Sequence, residues 1–204
     1  GTHELPGDYT TYILSGLVPW LAIIPAISTC CVSIVGNATL VKQFTFDLEL
    51  LPVKDALLSM VFWVVGIALL SLYTLAVTAR LPVTYLLLPV VLGMHLMLII
   101  GLGWALAAIT VFFRDLKDIV SVVIQAGVYL LPIVYLPSWV PELVRPFITY
   151  NPFSWVIWVY QATLYFGRIE HPFAWLGSFL LAMTLFSFGL RIFRRSKPLF
   201  GHML

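Results

Sequence analysis

The chain has 204 residues, of which 61% are hydrophobic and only 10% are charged, and its formal net charge is +2. Soluble helices carry a charged face every turn or two, so this composition excludes an ordinary soluble domain. The small net charge, with no basic run interleaved with aromatic residues, also excludes nucleic acid as a partner. We therefore expect an integral membrane protein that contacts lipid.

Six stretches contain no Asp, Glu, Lys or Arg: 9–41, 56–79, 81–113, 119–141, 146–167 and 172–190. A helix needs about 20 apolar residues to cross the roughly 30 Å hydrocarbon core, where every backbone polar group must be satisfied internally. The sequence therefore predicts an all-α polytopic helical bundle. We place its five visible spans at about 10–36, 56–79, 84–112, 118–136 and 172–193.

The first predicted loop, 37–55, mixes charged and apolar residues, among them Lys42, Phe44, Phe46 and Glu49. A short amphipathic helix here would lie along the membrane face and offer its apolar residues to a groove on a partner. The alternative is a connector whose apolar residues dip into lipid, and the residues alone leave both readings open.

The third uncharged stretch has 33 residues and would be about 50 Å long as a straight helix. Tilt, a protruding end or a bend near Gly101 and Gly103 could absorb the surplus. Arg114 and Asp115 follow it, and Arg114 could anchor the helix to headgroups or pair with an acidic partner surface. For His95, near the middle of this span, we favour a neutral imidazole bonded to a neighbouring helix over a functional role.

The stretch 146–167 is long enough to cross but contains Asn151-Pro152, which breaks a helix near its start. If it does not cross, eight Lys and Arg residues share one side and three lie opposite, as expected when the larger group is cytoplasmic. If it crosses, the split of five to six orients nothing. We therefore predict that 137–171 is an outer, re-entrant segment, that the C-terminus is cytoplasmic and that Gly1 lies outside.

Twelve of the thirty aromatic residues fall between Tyr135 and Trp175. Trp and Tyr gather at the membrane–water boundary, so this cluster can be an interfacial belt. It can also be an exit lined by aromatic faces, which suit the C–H faces of sugar rings. For a substrate path our first choices are Tyr12, Trp20, Tyr129 and Tyr135.

The sequence offers no hydrolytic chemistry. It lacks the G-x-x-x-x-G-K-[ST] phosphate loop, the H-E-x-x-H zinc helix and the G-x-S-x-G nucleophile elbow. Cys30 and Cys31 are adjacent within an apolar run and are expected to act as small hydrophobes. We assign no catalytic, cofactor or metal residue. Apart from Asp118, the first residue of the span placed at about 118–136, no predicted span contains an acidic residue for a proton relay, so we expect transport energy to come from another subunit.

The chain begins with Gly1 and opens with no signal peptide. A permease subunit with a cytoplasmic C-terminus usually starts inside. We therefore expect one further span upstream and six spans in the intact subunit.

Several short segments occur in one characteristic order along nearly the whole chain: Gly16-Leu17-Val18-Pro19-Trp20, Gly36-Asn37, Leu40-Val41-Lys42, Glu49-Leu50-Leu51-Pro52, Gly101-Leu102-Gly103, Arg114-Asp115, Pro132-Ile133-Val134-Tyr135 and Asn151-Pro152. Their order and spacing resemble the membrane subunit of ABC-2 type exporters. The branch they resemble exports polysaccharides and polyol phosphates such as O-antigen, capsule and teichoic acid.

The resemblance implies one ABC-2 transmembrane domain over 1–204, paired with a second copy of itself and with two ATP-binding cassette subunits that use the ATP and Mg. It implies that segment 37–55 seats in the ATPase subunit, with Lys42, Phe44, Phe46, Glu49, Arg114 and Asp115 at that contact. Asn151, Pro152, Trp155 and Trp158 would form the outer gate. The family commonly has Phe-Pro where this chain has Phe46-Asp47, although Asp47 can itself cap a helix.

The leading hypothesis is thus the permease half of an ATP-driven exporter of a lipid-linked glycan, in the bacterial cytoplasmic membrane. An ABC-2 exporter of a drug, peptide or lipid is the alternative within transport. A membrane-embedded glycosyl or acyl transferase is the alternative outside it. Such an enzyme would need an acid or His cluster near a membrane face, and the sequence shows none.

Overall fold

The computed structural model describes residues 8–43 and 47–203, and every regular element within these ranges is a helix, as predicted. The α-helices are α1 (Tyr9–Val32), α2 (Ala38–Gln43), α3 (Leu50–Thr78), α4 (Leu88–Thr110), α5 (Leu116–Leu130), α6 (Arg145–Tyr150), α7 (Pro152–Gln161), α8 (Pro172–Ser196) and α9 (Phe200–Met203). Short 3-10 turns occur at Val35–Asn37, Val83–Leu87, Pro137–Trp139 and Lys197–Leu199, and a π-turn at Ala162–Phe166 follows α7.

Four helical segments are long and apolar enough to cross a membrane: Tyr9–Val32, Leu50–Thr78, Val83–Thr110 and Pro172–Leu199. They match four of the five predicted spans, and the chain is a multi-pass membrane protein. The helix α3 begins at Leu50 rather than at 56, so Lys54 and Asp55 lie in its first turns and not in a separate loop.

The remaining predicted span, 118–136, differs from the structure. The helix α5 has 15 residues and ends at Leu130, so it is about 22 Å long at 1.5 Å per residue. Pro132 explains this early end, because proline removes a backbone donor and disfavours the helical conformation of the residue before it. The stretch 81–113 is not one long helix. Val83–Leu87 is a 3-10 turn and α4 ends at Thr110, so the surplus residues lie outside the α-helix.

The stretch 146–167 forms two short helices that are separated at Asn151. The Asn151 side chain accepts a hydrogen bond from the Phe153 backbone N–H (3.0 Å) and so caps α7, with Pro152 at its first position. The π-turn ends at Gly167, whose φ of +65° is a left-handed conformation that favours glycine. That this stretch does not cross the bilayer stays a prediction.

The described residues fall into two compact units. The first unit comprises those within Gly1–Leu21, Phe62–Met94 and Ala126–Leu180, and the second those within Ala22–Val61, His95–Gln125 and Leu181–Leu204. The helices α1, α3, α4, α5 and α8 each contribute residues to both units.

Aromatic side chains that pack against glycine occupy tight positions in the first unit. The Trp20 ring lies against Gly127, and the Trp155 ring lies against Gly177, so closely in both cases that a Cβ atom would overlap the indole. Trp20 also meets Phe153 edge-on, with ring centroids 6.2 Å apart. Large rings therefore fill this unit where glycine leaves space for them.

In the second unit α4 and α8 touch through their backbones. A Cβ atom on Gly101 would lie 2.5 Å from the backbone carbon of Leu185 and the backbone nitrogen of Phe186, and one on Gly189 would overlap the Gly101 carbonyl. Small residues allow such close approach between membrane helices, where dispersion contacts rather than the hydrophobic effect favour association. Glycine at these two positions sets the spacing of the helix pair.

Candidate functional sites

An open groove in the first unit, which we call the aromatic groove, has a volume of about 890 Å³. Its walls are mostly aromatic and aliphatic: Tyr129, Leu130, Tyr135, Val140, Pro141, Val144, Pro146, Phe147, Ile148, Tyr150 and Asn151. Three rings, those of Tyr129, Phe147 and Tyr150, are each more than three quarters exposed. The groove therefore presents ring faces without a charged residue among its lining residues.

The backbone turn that follows α5 forms one wall of the groove, and side chains from other elements satisfy its carbonyls. Tyr9 donates to Val134 O (2.7 Å), Tyr12 donates to Tyr135 O (3.2 Å), and Gln161 donates to Pro132 O (2.8 Å). Non-helical backbone at membrane depth must obtain such partners from the protein. These bonds hold the turn that carries Tyr135.

The structure places the four residues chosen for a substrate path in two different environments. Tyr129 and Tyr135 line the aromatic groove. Tyr12 and Trp20 are buried, with 1% and 5% of their surfaces exposed, and neither is among the lining residues. Tyr12 supports the turn next to the groove, and Trp20 packs on Gly127 and Phe153.

The four residues assigned to an outer gate all lie in α7 or at its N-cap. Asn151 caps this helix and also lines the groove, and Pro152 begins the helix. The indole of Trp155 donates to Thr149 O in α6 (2.8 Å). Trp158 is buried against His171 and Phe173, with ring centroids 4.7 and 5.9 Å away. A role in gating stays a prediction.

His171, just before α8, packs against Trp158 with the two rings tilted by 43°. Partial burial lowers the pKa of His171, and the Glu170 carboxylate opposes that shift. Because the net pKa shift is downward, the imidazole is neutral at pH 7 and packs as an aromatic ring. The Glu170 carboxylate instead accepts a hydrogen bond from the Arg168 Nε atom (2.7 Å).

Segment 37–55 lies in the second unit and is described only in part. Phe44 and Phe46 lie outside the described residues, so their predicted contact with an ATPase subunit stays a prediction. Lys42 belongs to α2. Asp47 begins the turn before α3, and its carbonyl accepts a hydrogen bond from the Leu50 N–H (2.9 Å).

Glu49, the residue immediately before α3, is bound from two sides. Its carbonyl accepts a hydrogen bond from the Trp104 indole (2.9 Å), and its carboxylate accepts one from Lys197 (2.8 Å). Arg194 approaches the other carboxylate oxygen at 3.6 Å. Burial alone would raise the pKa of Glu49, but the hydrogen bond from Lys197 and the two cations outweigh it, so the pKa lies below its ordinary value.

Arg114 and Asp115 are both exposed in the turn between α4 and α5. The Asp115 carbonyl accepts hydrogen bonds from the backbone N–H groups of Asp118 (3.1 Å) and Ile119 (3.4 Å), which sets the first turn of α5. Neither Arg114 nor Asp115 forms an ion pair with a residue in the ranges 8–43 and 47–203. The predicted contact of these two residues with a partner is neither supported nor opposed by this geometry.

Sequence reasoning missed several residues that build these sites. Phe147 and Tyr150 line the groove but were counted only as members of the aromatic cluster, whose density was the available signal. Lys197 was counted only as one of the cytoplasmic cations. Gln161 is the one glutamine in the uncharged stretch 146–167, and an amide side chain in such an apolar setting signals a buried hydrogen bond.

Metal binding has no support among the described residues, where no group of three His, Cys, Asp or Glu side chains lies close enough to hold an ion.

Comparison with known proteins gives three relatives that share one name. No protein-family model matches the chain. Two O-antigen export system permease proteins RfbA from Klebsiella pneumoniae are each 23% identical to it over 201 and 199 residues, which cover 97% of this chain and 76% of each relative. An O-antigen export system permease protein RfbA from Myxococcus xanthus is 26% identical over 164 residues, covering 79% of this chain and 63% of the relative.

The predicted resemblance is thus confirmed: over 97% of its length this multi-pass membrane chain is related in sequence to permease proteins of O-antigen export systems.

Proposed function

We propose that this chain is the permease subunit of an ATP-driven exporter that moves a lipid-linked polysaccharide across the bacterial cytoplasmic membrane. The observation that carries the proposal is the similarity, over 97% of the chain, to proteins named as O-antigen export system permeases. The four helices of spanning length supply the membrane domain that such a subunit requires.

The aromatic groove supports a glycan as the substrate. Sugar rings present C–H faces that stack on aromatic faces without fixed charge, and Tyr129, Phe147 and Tyr150 present exposed rings of this kind. Base–aromatic stacking, a measured analogue, is worth about 1–3 kcal/mol per unit. Contacts of this size hold each sugar weakly, so a long polymer can slide past them.

The energy for export comes from separate ATPase subunits, since the sequence lacks a phosphate loop. Two copies of this chain and two ATP-binding cassette subunits form the transporter, and segment 37–55 with Arg114 and Asp115 contacts the ATPase. ATP and Mg are bound by that partner. Closure of the ATPase pair would displace segment 37–55 and open a path for the glycan.

Disruption of the gene in its host tests this function. We expect surface polysaccharide to be lost and its lipid-linked precursor to accumulate inside the cell, with both defects reversed by the wild-type gene. Normal surface polysaccharide in the disrupted strain would refute glycan export. An accompanying change in resistance to lipophilic drugs would then favour the drug exporter.

The division of labour between subunits has its own test. The purified chain alone should not hydrolyse ATP, and vanadate-sensitive hydrolysis should appear when the ATPase subunit is added. Vanadate-sensitive turnover by this chain alone would refute the assignment as a transport subunit.

A further inference from the structure

Residues 197–203, which follow α8, fold back within the second unit. Phe200 is fully buried and packs edge-on against Phe193, with ring centroids 5.4 Å apart. The short helix α9 lies against α2, the helix that opens segment 37–55. The end of the chain is therefore packed against the proposed partner-contact segment.

The tightest link between these two parts is the ion pair between Lys197 and Glu49. These residues are 148 positions apart, and the Lys197 ammonium lies 2.8 Å from the Glu49 carboxylate. Only 17% of the Glu49 side chain and 34% of the Lys197 side chain are exposed. Partial burial shields the pair from salt and makes it stronger than a fully exposed surface pair.

Glu49 cannot shift without disturbing α8 or α4. The Trp104 indole holds its backbone carbonyl, while Lys197 and Arg194 hold its carboxylate. Trp104 itself packs on Phe186 of α8 at a centroid distance of 4.9 Å. Movement of Glu49 would therefore also move α8. The side chain of Glu49 is linked to it by ion pairs, and the Glu49 backbone is linked to it through Trp104.

We propose that the C-terminal segment 193–200 is a positioning element for segment 37–55, and that the Lys197–Glu49 ion pair couples movement of this segment to α8. The proposal rests on the proposed function. It makes Glu49 an internal anchor, which differs from the direct contact with the ATPase subunit predicted from the sequence. Lys197 acts through Glu49 and touches no substrate.

The experiment uses the full chain with its ATPase subunit in proteoliposomes and measures glycan exported per ATP hydrolysed. Glu49→Lys and Lys197→Glu should each lower this ratio by about fivefold, a size typical of coupled neighbours. The double variant, which exchanges the two charges, should restore the ratio to within about twofold of the wild type. Rescue by exchange shows that the two residues act through each other. The ratio of glycan exported to ATP hydrolysed does not change when a variant merely lowers the amount of folded protein.

Arg195→Glu is the matched control. It reverses one charge at the same end of α8, and Arg195 is exposed and makes no ion pair among the described residues. Its ratio should equal that of the wild type. If a reversed variant fails to insert, Lys197→Met removes the charge and the hydrogen-bond donor with little loss of side-chain length, and should show the same fall in the ratio.

A double variant no better than the single ones, or an equal fall for Arg195→Glu, would overturn the inference. Wild-type protein that shows no ATP-dependent glycan export would instead refute the proposed function. Wild-type export with a ratio insensitive to both reversals would refute only the positioning role.

Discussion

The two units are stabilised by different means. In the first unit side chains donate hydrogen bonds to carbonyls where helices end: Tyr9, Tyr12 and Gln161 to the turn after α5, and Thr84 to Thr163 O (2.7 Å). In the second unit the helix backbones of α4 and α8 meet directly at Gly101 and Gly189.

This difference follows from the regularity of the backbone. The first unit contains a proline-ended helix, a π-turn and two short helices, so carbonyls that lack helical partners must bond to side chains. The long regular helices α4 and α8 leave few such groups along their contact in the second unit, and glycine lets them approach closely. The aromatic groove occurs where the backbone is irregular, and the anchored carboxylate of Glu49 occurs where long helices begin and end.

The largest effect is expected at the glycine contact of the second unit. Gly101→Ala places a methyl group against the backbone of Leu185 and Phe186, which side-chain rotation cannot relieve. We expect the free energy of unfolding to fall by about 2 kcal/mol or more, since overpacking usually costs about 1–3 kcal/mol. Thermal or denaturant unfolding in detergent measures this change. Gly93→Ala on the same helix is the control, because nothing lies within 4 Å of its added methyl. Equal stability of the two variants would show that the backbone contact between α4 and α8 does not require glycine at position 101.

A somewhat smaller loss is expected at the irregular backbone of the first unit. Gly167→Ala forces alanine into a left-handed conformation, at a cost of about 1–2 kcal/mol, and brings its Cβ to 3.0 Å from Pro82. Gly36→Ala meets no neighbour within 4 Å and should be nearly neutral in the same unfolding assay. If Gly167→Ala were equally neutral, the end of the π-turn would not need glycine.

Loss of one side-chain bond in the first unit should cost less. Tyr12→Phe removes the donor to Tyr135 O and should destabilise the protein by about 1 kcal/mol, the usual net value of a buried hydrogen bond. Tyr129→Phe removes the same hydroxyl from an exposed ring and should leave stability unchanged. Unfolding in detergent compares the two variants, and an equal loss would contradict a special role for the buried tyrosine.

The smallest effect concerns the carboxylate of the second unit. The folded-state pKa of Glu49 is lowered, so its stabilisation is present above its ordinary value near 4.5 and is lost as the pH falls through the folded-state pKa. Screening by solvent limits it to about 1 kcal/mol.

Comparing the free energy of unfolding of the wild type with that of Glu49→Gln between pH 7 and 3 isolates this contribution. Asp8 also has a lowered pKa, because hydrogen bonds from Tyr73 and Thr11 outweigh desolvation, but Asp8 is common to both proteins. The difference in stability should therefore shrink towards low pH. A constant difference would contradict the pairing of Glu49 with Lys197.

Features that depend on neighbouring residues in the chain were predictable. Long uncharged runs predicted four spans because helix formation in the membrane depends on the apolar length of one segment. Asn151-Pro152 predicted the helix break because proline acts on its immediate neighbours. Pro132 carries the same signal for the end of α5, which the apolar length of 118–136 alone does not show.

Features that depend on distant partners were not predictable. In helices that are apolar on all sides, hydrophobic periodicity does not show which face is buried, so Tyr12 and Trp20 could not be distinguished from Tyr129. The pairing of Glu49 with Lys197 joins residues 148 positions apart, and a single sequence contains no signal that links them. The groove likewise depends on how α5 and α6 meet.

The proposed function is movement of a glycan by this chain, using ATP that its partner hydrolyses, with the aromatic groove as the glycan contact. Its most direct measurement is ATP-dependent transfer of a lipid-linked polysaccharide across proteoliposomes that contain the chain and its ATPase subunit. We predict transfer by the wild type, and loss of transfer with retained basal ATP hydrolysis and assembly when Tyr129→Ala and Tyr135→Ala are combined. Absence of ATP-dependent transfer by the wild type would contradict the function, and normal transfer by the double variant would contradict the role of the groove.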